Sequence, residues 1–393
     1  VERKKISRER LASLRALAHR MNKQNITSIP VTRALLRCFD VVITPEENEF
    51  LLRIGGDPLN YQQISALSDL PENDFRPFLR TLCKKGLVWT KYAEDEEELY
   101  VLAPILLGWF EIFLSDGGDT LQKREFARRV DDLFRSWGKF NVFPFRGLWN
   151  YHTKKKSRSH RRVVIPQETH EKVETIHVDV KQKIHIPETK IYPTKSVYEL
   201  IEKHGDNNQI AVVHCFCRQW RKFMDEPCRF KHADESCIVL GSGTKYVVNH
   251  EIARYISKKE ALEIIKDVQK KGAVHQVFHE QENLDKPEMA ICNCCWDCCG
   301  ILGSYNRGLI PLRNRAYYMP KIQDESLCSG CGTCIRYCPV RAISVVDKKS
   351  RIDEAKCIGC GQCEIQCPEG VIGLVYKERE VVLPLLKKSE SRI

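Results

Sequence analysis

Two four-cysteine runs carry the chemistry most plainly: Cys328-x2-Cys331-x2-Cys334-x3-Cys338-Pro339 and, 29 residues later, Cys357-x2-Cys360-x2-Cys363-x3-Cys367-Pro368. Thiolate sulfur is a soft ligand, and three closely spaced thiolates can wrap one corner of a metal–sulfur cubane. Zinc also accepts four thiolates, but its motifs usually present two CxxC pairs, not four-cysteine runs that end in Cys-Pro. Of 19 cysteines, 17 lie between Cys215 and Cys367, an odd total in CxxC and CxC groups that argues for metal ligands over a disulfide framework.

This tandem resembles the bacterial two-cluster ferredoxins over roughly residues 320–377, and every ligand position of that family's motif is filled. The resemblance implies two cubane [4Fe-4S] clusters held by interleaved half-repeats, because the cysteine before each proline crosses to the other cluster. Cys328, Cys331, Cys334 and Cys367 would then hold one cluster, and Cys357, Cys360, Cys363 and Cys338 the other. Glycines between the ligands would let backbone amides approach the cluster sulfurs and tune their potential.

A second set of nine thiols precedes the tandem. Cys215-Phe216-Cys217-Arg218 is followed by Cys228 and Cys237, and later by Cys292-Asn293-Cys294-Cys295-Trp296-Asp297-Cys298-Cys299. On spacing, the first four could ligate one further cluster and the last five another, or both groups could converge on one site. One or two further iron–sulfur clusters are therefore expected here, with structural zinc as the competing reading. Arg218 and Arg221 stand beside these ligands, either raising a cluster's potential or lying as ordinary surface arginines. His214, His232, His250, His275 and His279 share the segment, and none is expected to ligate.

With its CxCR and CNCC-type motifs ahead of a dicluster ferredoxin, the segment 190–377 looks like a group of poorly characterised iron–sulfur proteins of anaerobic archaea and bacteria. That resemblance implies electron transfer as a subunit or companion of a larger oxidoreductase, and it assigns no substrate. The redox partner would be a flavoprotein or a hydrogenase-like enzyme.

The remainder of the chain positions these thiols. Composition, at 42% hydrophobic and 29% charged over 393 residues, suits several globular cores and excludes disorder. The expected fold class is α+β and multidomain. Residues 1–30 form a basic N-terminal helix, 31–115 a winged-helix-like domain and 116–190 a helix with a basic linker. Residues 191–319 form a cysteine-rich α/β domain, 320–377 the dicluster domain and 378–393 a tail.

Within 31–115, Thr44-Pro45-Glu46-Glu47 reads as a capping box with proline at the first helical position. Helices bearing Leu51, Ile64 and Phe75 follow, then strands over 87–92 and 99–103. This order resembles a winged helix, but the acids Glu94 to Glu98 at the hairpin tip would repel a polyanion. In the middle domain, Ser196-x-x-Glu199 and Ser257-x-x-Glu260 read as helix starts, and Ile210 to Val213 as a strand leading into Cys215.

The net charge of +11 sits largely in the N-terminal arm and in Lys154 to Arg162, where it could steer an acidic redox partner; nucleic acid is not expected. Leu11, Leu14, Leu17 and Met21 recur at helical spacing, which fits a helix docked on the fold better than a targeting segment. The longest apolar stretch, Tyr100 to Leu114, is too short for a membrane span, and a cytoplasmic location is the default. Cys38 and Cys83 lie in apolar helical settings as small buried hydrophobes. There is no P-loop, GxGxxG or HExxH motif.

These features favour an electron-transfer protein, with no catalytic residue named. A redox-sensing winged-helix regulator and an oxidoreductase with an open-iron substrate site are the rival readings.

Overall fold

The computed structural model describes residues 6–24, 29–92, 97–140, 190–192, 194–205, 207–279, 287–307, 309, 313–316, 318–377 and 382–383. The basic run 152–162 and acids 94–96 of the hairpin tip lie outside them. Helices and strands are mixed throughout, as expected for an α+β chain. No helix among the described residues is long and apolar enough to cross a membrane. The chain divides into two compact units, residues 1–136 with 204–261 and residues 137–203 with 262–393, so the 191–319 segment contributes to both.

In the first unit the helix Arg8–Asn22 buries Leu14, Leu17 and Met21 completely, so the basic N-terminal segment docks through its apolar stripe. Thr44 caps the helix Pro45–Arg53 as a capping box: Glu47 N–H donates to Thr44 Oγ1 at 3.2 Å and Thr44 N–H to the Glu47 carboxylate at 2.9 Å. The same carboxylate accepts from Lys85 Nζ at 2.7 Å, which neutralises a buried acid. Helices Tyr61–Ser65 and Glu72–Lys84 follow, then the antiparallel hairpin Val88–Tyr92 and Glu98–Leu102, with a bridge from Leu59 to Tyr100.

Apolar aromatic packing supplies this unit's core. Phe39 and Trp109 rings lie 4.5 Å apart, Phe110 and Phe126 5.6 Å, and Phe134 and Trp220 4.8 Å. Beside it the strand Ile210–His214 pairs antiparallel with Glu235–Leu240 on one edge and Ala253–Tyr255 on the other.

The second unit contains an antiparallel set in which Val274–His279 pairs with Lys190–Tyr192 and with Glu288–Cys294. One expectation is corrected here: the helix begins at Thr194, so Ser196 lies inside its first turn and does not cap it, though it ends before Gly205 as the sequence suggested. Ser257 does cap the helix Lys258–Lys270, accepting from Glu260 N–H at 3.1 Å.

Two short antiparallel pairs frame the C-terminal tandem, Tyr318–Ile322 with Ile372–Tyr376 and Ile343–Val346 with Lys349–Ile352. Each four-cysteine run makes the same local shape, a left-handed glycine (Gly332 at φ 77°, Gly361 at φ 78°) opening a single helical turn that carries the third cysteine. An L residue strains in that conformation, so glycine sets the start of both turns.

Candidate metal centres

The tandem runs fold against each other so that their sulfurs form two cavities. One is lined by Cys328, Cys331, Cys334 and Cys367. The other is lined by Cys338, Cys357, Cys360 and Cys363. Each cavity thus draws three thiols from one run and one from the other. The surrounding core is largely sulfur: Cys328, Cys334, Cys338, Cys357 and Cys363 pack with Met319, Ala342, Ile343, Val371 and Ile372.

Backbone donors point at this sulfur. Gly359 N–H donates to Cys357 Sγ at 3.3 Å and Ala342 N–H to Cys338 Sγ at 3.2 Å. Gly330 admits the backbone of Lys348, whose carbonyl oxygen would lie 2.6 Å from a Cβ at that position. Ser350, which sequence reasoning missed, sets its hydroxyl 3.2 Å from Cys334 Sγ and 3.7 Å from Cys328 Sγ. It is 3% exposed, a buried serine on an otherwise ordinary hairpin strand, and only the fold reveals what it faces.

The two cavities differ in charge environment. Backbone hydrogen bonds from Ser350 and Gly330 hold Cys328 below its usual value, and the Thr333 hydroxyl does the same for Cys331, while burial pushes the Cys334 thiol up. In the second cavity burial pushes the Cys360 and Cys363 thiols well up, with neighbouring sulfurs adding to it. Cys331 is exposed, whereas Cys357, Cys360 and Cys363 are buried. Both cavities suit a cluster, whose iron would compensate the sulfur charge that burial penalises.

The other nine thiols fall into sets. In the first unit Cys215 ends the strand and opens the helix Phe216–Phe223, placing Cys217 in its first turn. Hydrogen bonds from Cys217 and then Cys237, with the Arg218 charge, hold the Cys215 thiol well below its usual range. Arg218 is 2% exposed and donates to Ala233 O at 3.1 Å and to Ser236 Oγ. Arg221 is buried too, paired with Asp131 at 3.3 Å and with Glu226. Neither is an ordinary surface arginine. Cys228 is half-buried in the segment leading to the strand Glu235–Leu240.

In the second unit Cys292 and Cys294 lie two apart on the strand Glu288–Cys294, and therefore on one face. Cys294 hydrogen-bonds with both Cys292 and Cys299, and these contacts together with burial push it well up. Gln276 Nε2 donates to Cys294 Sγ at 2.9 Å, and Ile301 and Leu302 N–H donate to Cys299 Sγ at 3.3 Å each. The sequence held one faint signal for Gln276, a polar residue in the strand Val274–His279 whose every position is buried.

Cys295 and Cys298, read from sequence as metal ligands, stand with Cα atoms 6.1 Å apart and sulfurs in contact, and with Asp297 they offer ligand atoms within 4.8 Å of one another, so the pair can close as a disulfide or share a metal ion. The three-residue spacing folds their sulfurs together, an approach that a shared metal ion would also require. His275 is buried and hydrogen-bonded to Asn293 Oδ1 at 2.6 Å. Cys38 and Cys83 are buried, and desolvation pushes both thiols far up, as befits small hydrophobes.

Residues 320–368 match the family described as the 4Fe-4S dicluster domain. The C-terminal part of the chain is a ferredoxin-like, metal-binding iron–sulfur domain, of a kind that transfers electrons to partner proteins. No curated protein and no solved structure matches the chain.

Proposed function

We propose that this chain is an electron carrier that passes single electrons through two [4Fe-4S] clusters to or from a redox partner enzyme, a flavoprotein or a hydrogenase-like oxidoreductase, in a reducing, anaerobic cytoplasm. One observation carries the reading: two adjoining cavities, each lined by four cysteines, three from one run and the fourth from the other. Cys328, Cys331, Cys334 and Cys367 hold the first cluster, and Cys357, Cys360, Cys363 and Cys338 the second. The bound clusters supply one-electron storage at a potential set by hydrogen bonds and solvent access.

The chain's own residues set that environment. The amides of Gly359 and Ala342 and the Ser350 hydroxyl stabilise sulfur charge, and so favour the reduced state. Cys331 brings the first cluster to the surface, where a partner can approach. The thiols upstream, Cys215, Cys217, Cys228, Cys237 and Cys292 to Cys299, serve additional metal in this reading.

The winged-helix-like segment 31–115 serves docking and not DNA reading. On its helix Glu72–Lys84, Arg76 is bound to Glu72 at 2.8 Å, while Arg80 and Lys84 are both engaged by Glu251 at 2.5 and 2.7 Å. Phosphates would have to displace these acids before using the cations. Anaerobic purification followed by iron and sulfide assay tests the carrier reading. Two cubanes give about eight iron and about eight sulfide per chain. Zinc in place of iron in the tandem would overturn it.

A further inference from the structure

We propose that Cys295, Asp297 and Cys298 hold one zinc ion, a single-ion site apart from both tandem clusters. The inference rests on the carrier reading only in giving the upstream thiols metal to bind, and its test separates the two, since zinc reports the ion and iron the clusters.

Three ligand-bearing side chains meet on one tight turn. Cys295 follows the strand Glu288–Cys294, residues 296–298 turn, and the sulfurs of Cys295 and Cys298 come into contact with their Cα atoms 6.1 Å apart. The Asp297 carboxylate reaches the same spot, so that all three ligand atoms lie within 4.8 Å of one another. Zinc binds thiolate at about 2.3 Å and carboxylate oxygen at about 2.0–2.2 Å, which places tetrahedral ligands of one ion roughly 3.5–3.8 Å apart. The set therefore has the dimensions of a single ion's shell. Ligands on separate irons of a cubane stand further apart, because each points outward from its own corner.

A disulfide would explain the sulfurs but not the acid. A carboxylate beside the pair opposes the thiolate form through which a disulfide opens and closes. Beside a cation the same carboxylate becomes a third anionic donor. Cys295 is 1% and Cys298 3% exposed, and negative groups gathered at one buried point are costly until a cation balances them. Magnesium and calcium take oxygen ligands, whereas zinc accepts thiolate and carboxylate together. Three protein ligands leave the fourth tetrahedral position to a group outside the turn.

The turn is held in shape from behind. Asp297 Oδ1 accepts from Cys298 N–H at 2.7 Å, which orients the carboxylate. Arg307 donates to Asp297 O, and Asn306 Nδ2 to Trp296 O at 3.4 Å and to Pro339 O at 3.0 Å. Gly303 admits the Asp297 carbonyl oxygen, which would stand 2.7 Å from a Cβ at that position. Trp296, in the middle of the turn, packs against the apolar cluster that contains Ile358 and Cys360. An ion in this turn fixes one wall of the second tandem cluster, and zinc, having no redox change of its own, does so without competing for electrons.

The full chain, produced with zinc and iron both supplied and purified anaerobically, is assayed for the two metals, and its zinc is examined by X-ray absorption, which does not see the iron of the clusters. The expected result is about one zinc beside about eight iron, with two or three sulfurs at about 2.3 Å from the zinc and oxygen or nitrogen completing the shell. Cys295→Ser with Cys298→Ser should lose the zinc and keep the iron. Asp297→Asn, the gentler variant should the double one not fold, should weaken retention of zinc against a chelating dye by at least about tenfold. No zinc in the wild type, whether the pair is then a disulfide or two thiols, overturns the ion and leaves the carrier reading standing. So do zinc that survives the double variant, zinc surrounded by four sulfurs, and unchanged retention in Asp297→Asn. About one zinc with little iron keeps the ion and overturns the carrier reading.

Discussion

The two units reach stability by different chemistry. The first fills its interior with rings: Phe39, Trp109, Phe110 and Phe126 are all at most 1% exposed. The C-terminal part of the second has five cysteines among the ten buried residues of its core. Burial of large apolar side chains stabilises the first without help from outside the chain. Buried thiols that desolvation and mutual repulsion penalise stabilise nothing by themselves, so in the carrier reading the C-terminal part of the second would draw folding free energy from bound metal. The contrast is between a core of packed rings and a core of packed thiols that only a bound group could relieve of its charge.

The largest effect should come from removing the metal. Chelation under reducing conditions should make residues 318–377 sensitive to protease while fragments from the first unit persist. Simultaneous loss of both units would break the contrast. Trp109→Ala should act the opposite way, destabilising the first unit by about 3–5 kcal/mol through the cavity it leaves, with iron content per folded chain unchanged. Urea unfolding followed by near-ultraviolet dichroism reads the first, and iron assay the second.

An acid titration sharpens the picture within the second unit. Burial pushes the His275 imidazole down to about 4, against a usual value of 6.5, with the Asn293 hydrogen bond opposing the shift. The unfolded chain therefore binds a proton that the folded chain refuses, so stability falls as pH drops from about 6.5 toward 4, by up to about 3 kcal/mol, and is unaffected above that window. His275→Gln should flatten this slope in urea midpoints measured across the same range; an unchanged slope would assign the acid sensitivity elsewhere. The smallest effect is expected at Thr44→Ala, which loses a capping hydrogen bond at 3.2 Å. A cost of about 1 kcal/mol, confined to the first unit, should appear in the same unfolding curves.

Much of this architecture was legible in the residues. The capping box at Thr44 and the helix stop before Gly205 are local signals, and the strand running into Cys215 was legible from its apolar run although its partners are distant strands. The tandem cysteine runs were the clearest signal, because their spacing matches a dicluster motif that gives each cluster three sulfurs from one run and one from the other. The start of the helix at Thr194 was missed because a Ser-x-x-Glu pattern also occurs inside a first turn. Gln276 and Ser350 were missed for a different reason: each acts on a sulfur 18 or 16 residues away in sequence, Cys294 and Cys334, and strand register, not sequence pattern, delivers it there. The burial of Arg218 likewise depends on Ser236 and Ala233, which belong to a neighbouring strand and the segment before it.

The exposure of Cys331 has a cost as well as a use. Oxygen and peroxide attack accessible sulfur first, so damage in air should begin at the cluster that meets the partner and reach the buried centres later. Wear would then fall on the outermost centre, and the protein should lose its ability to exchange electrons with partners before it loses most of its iron.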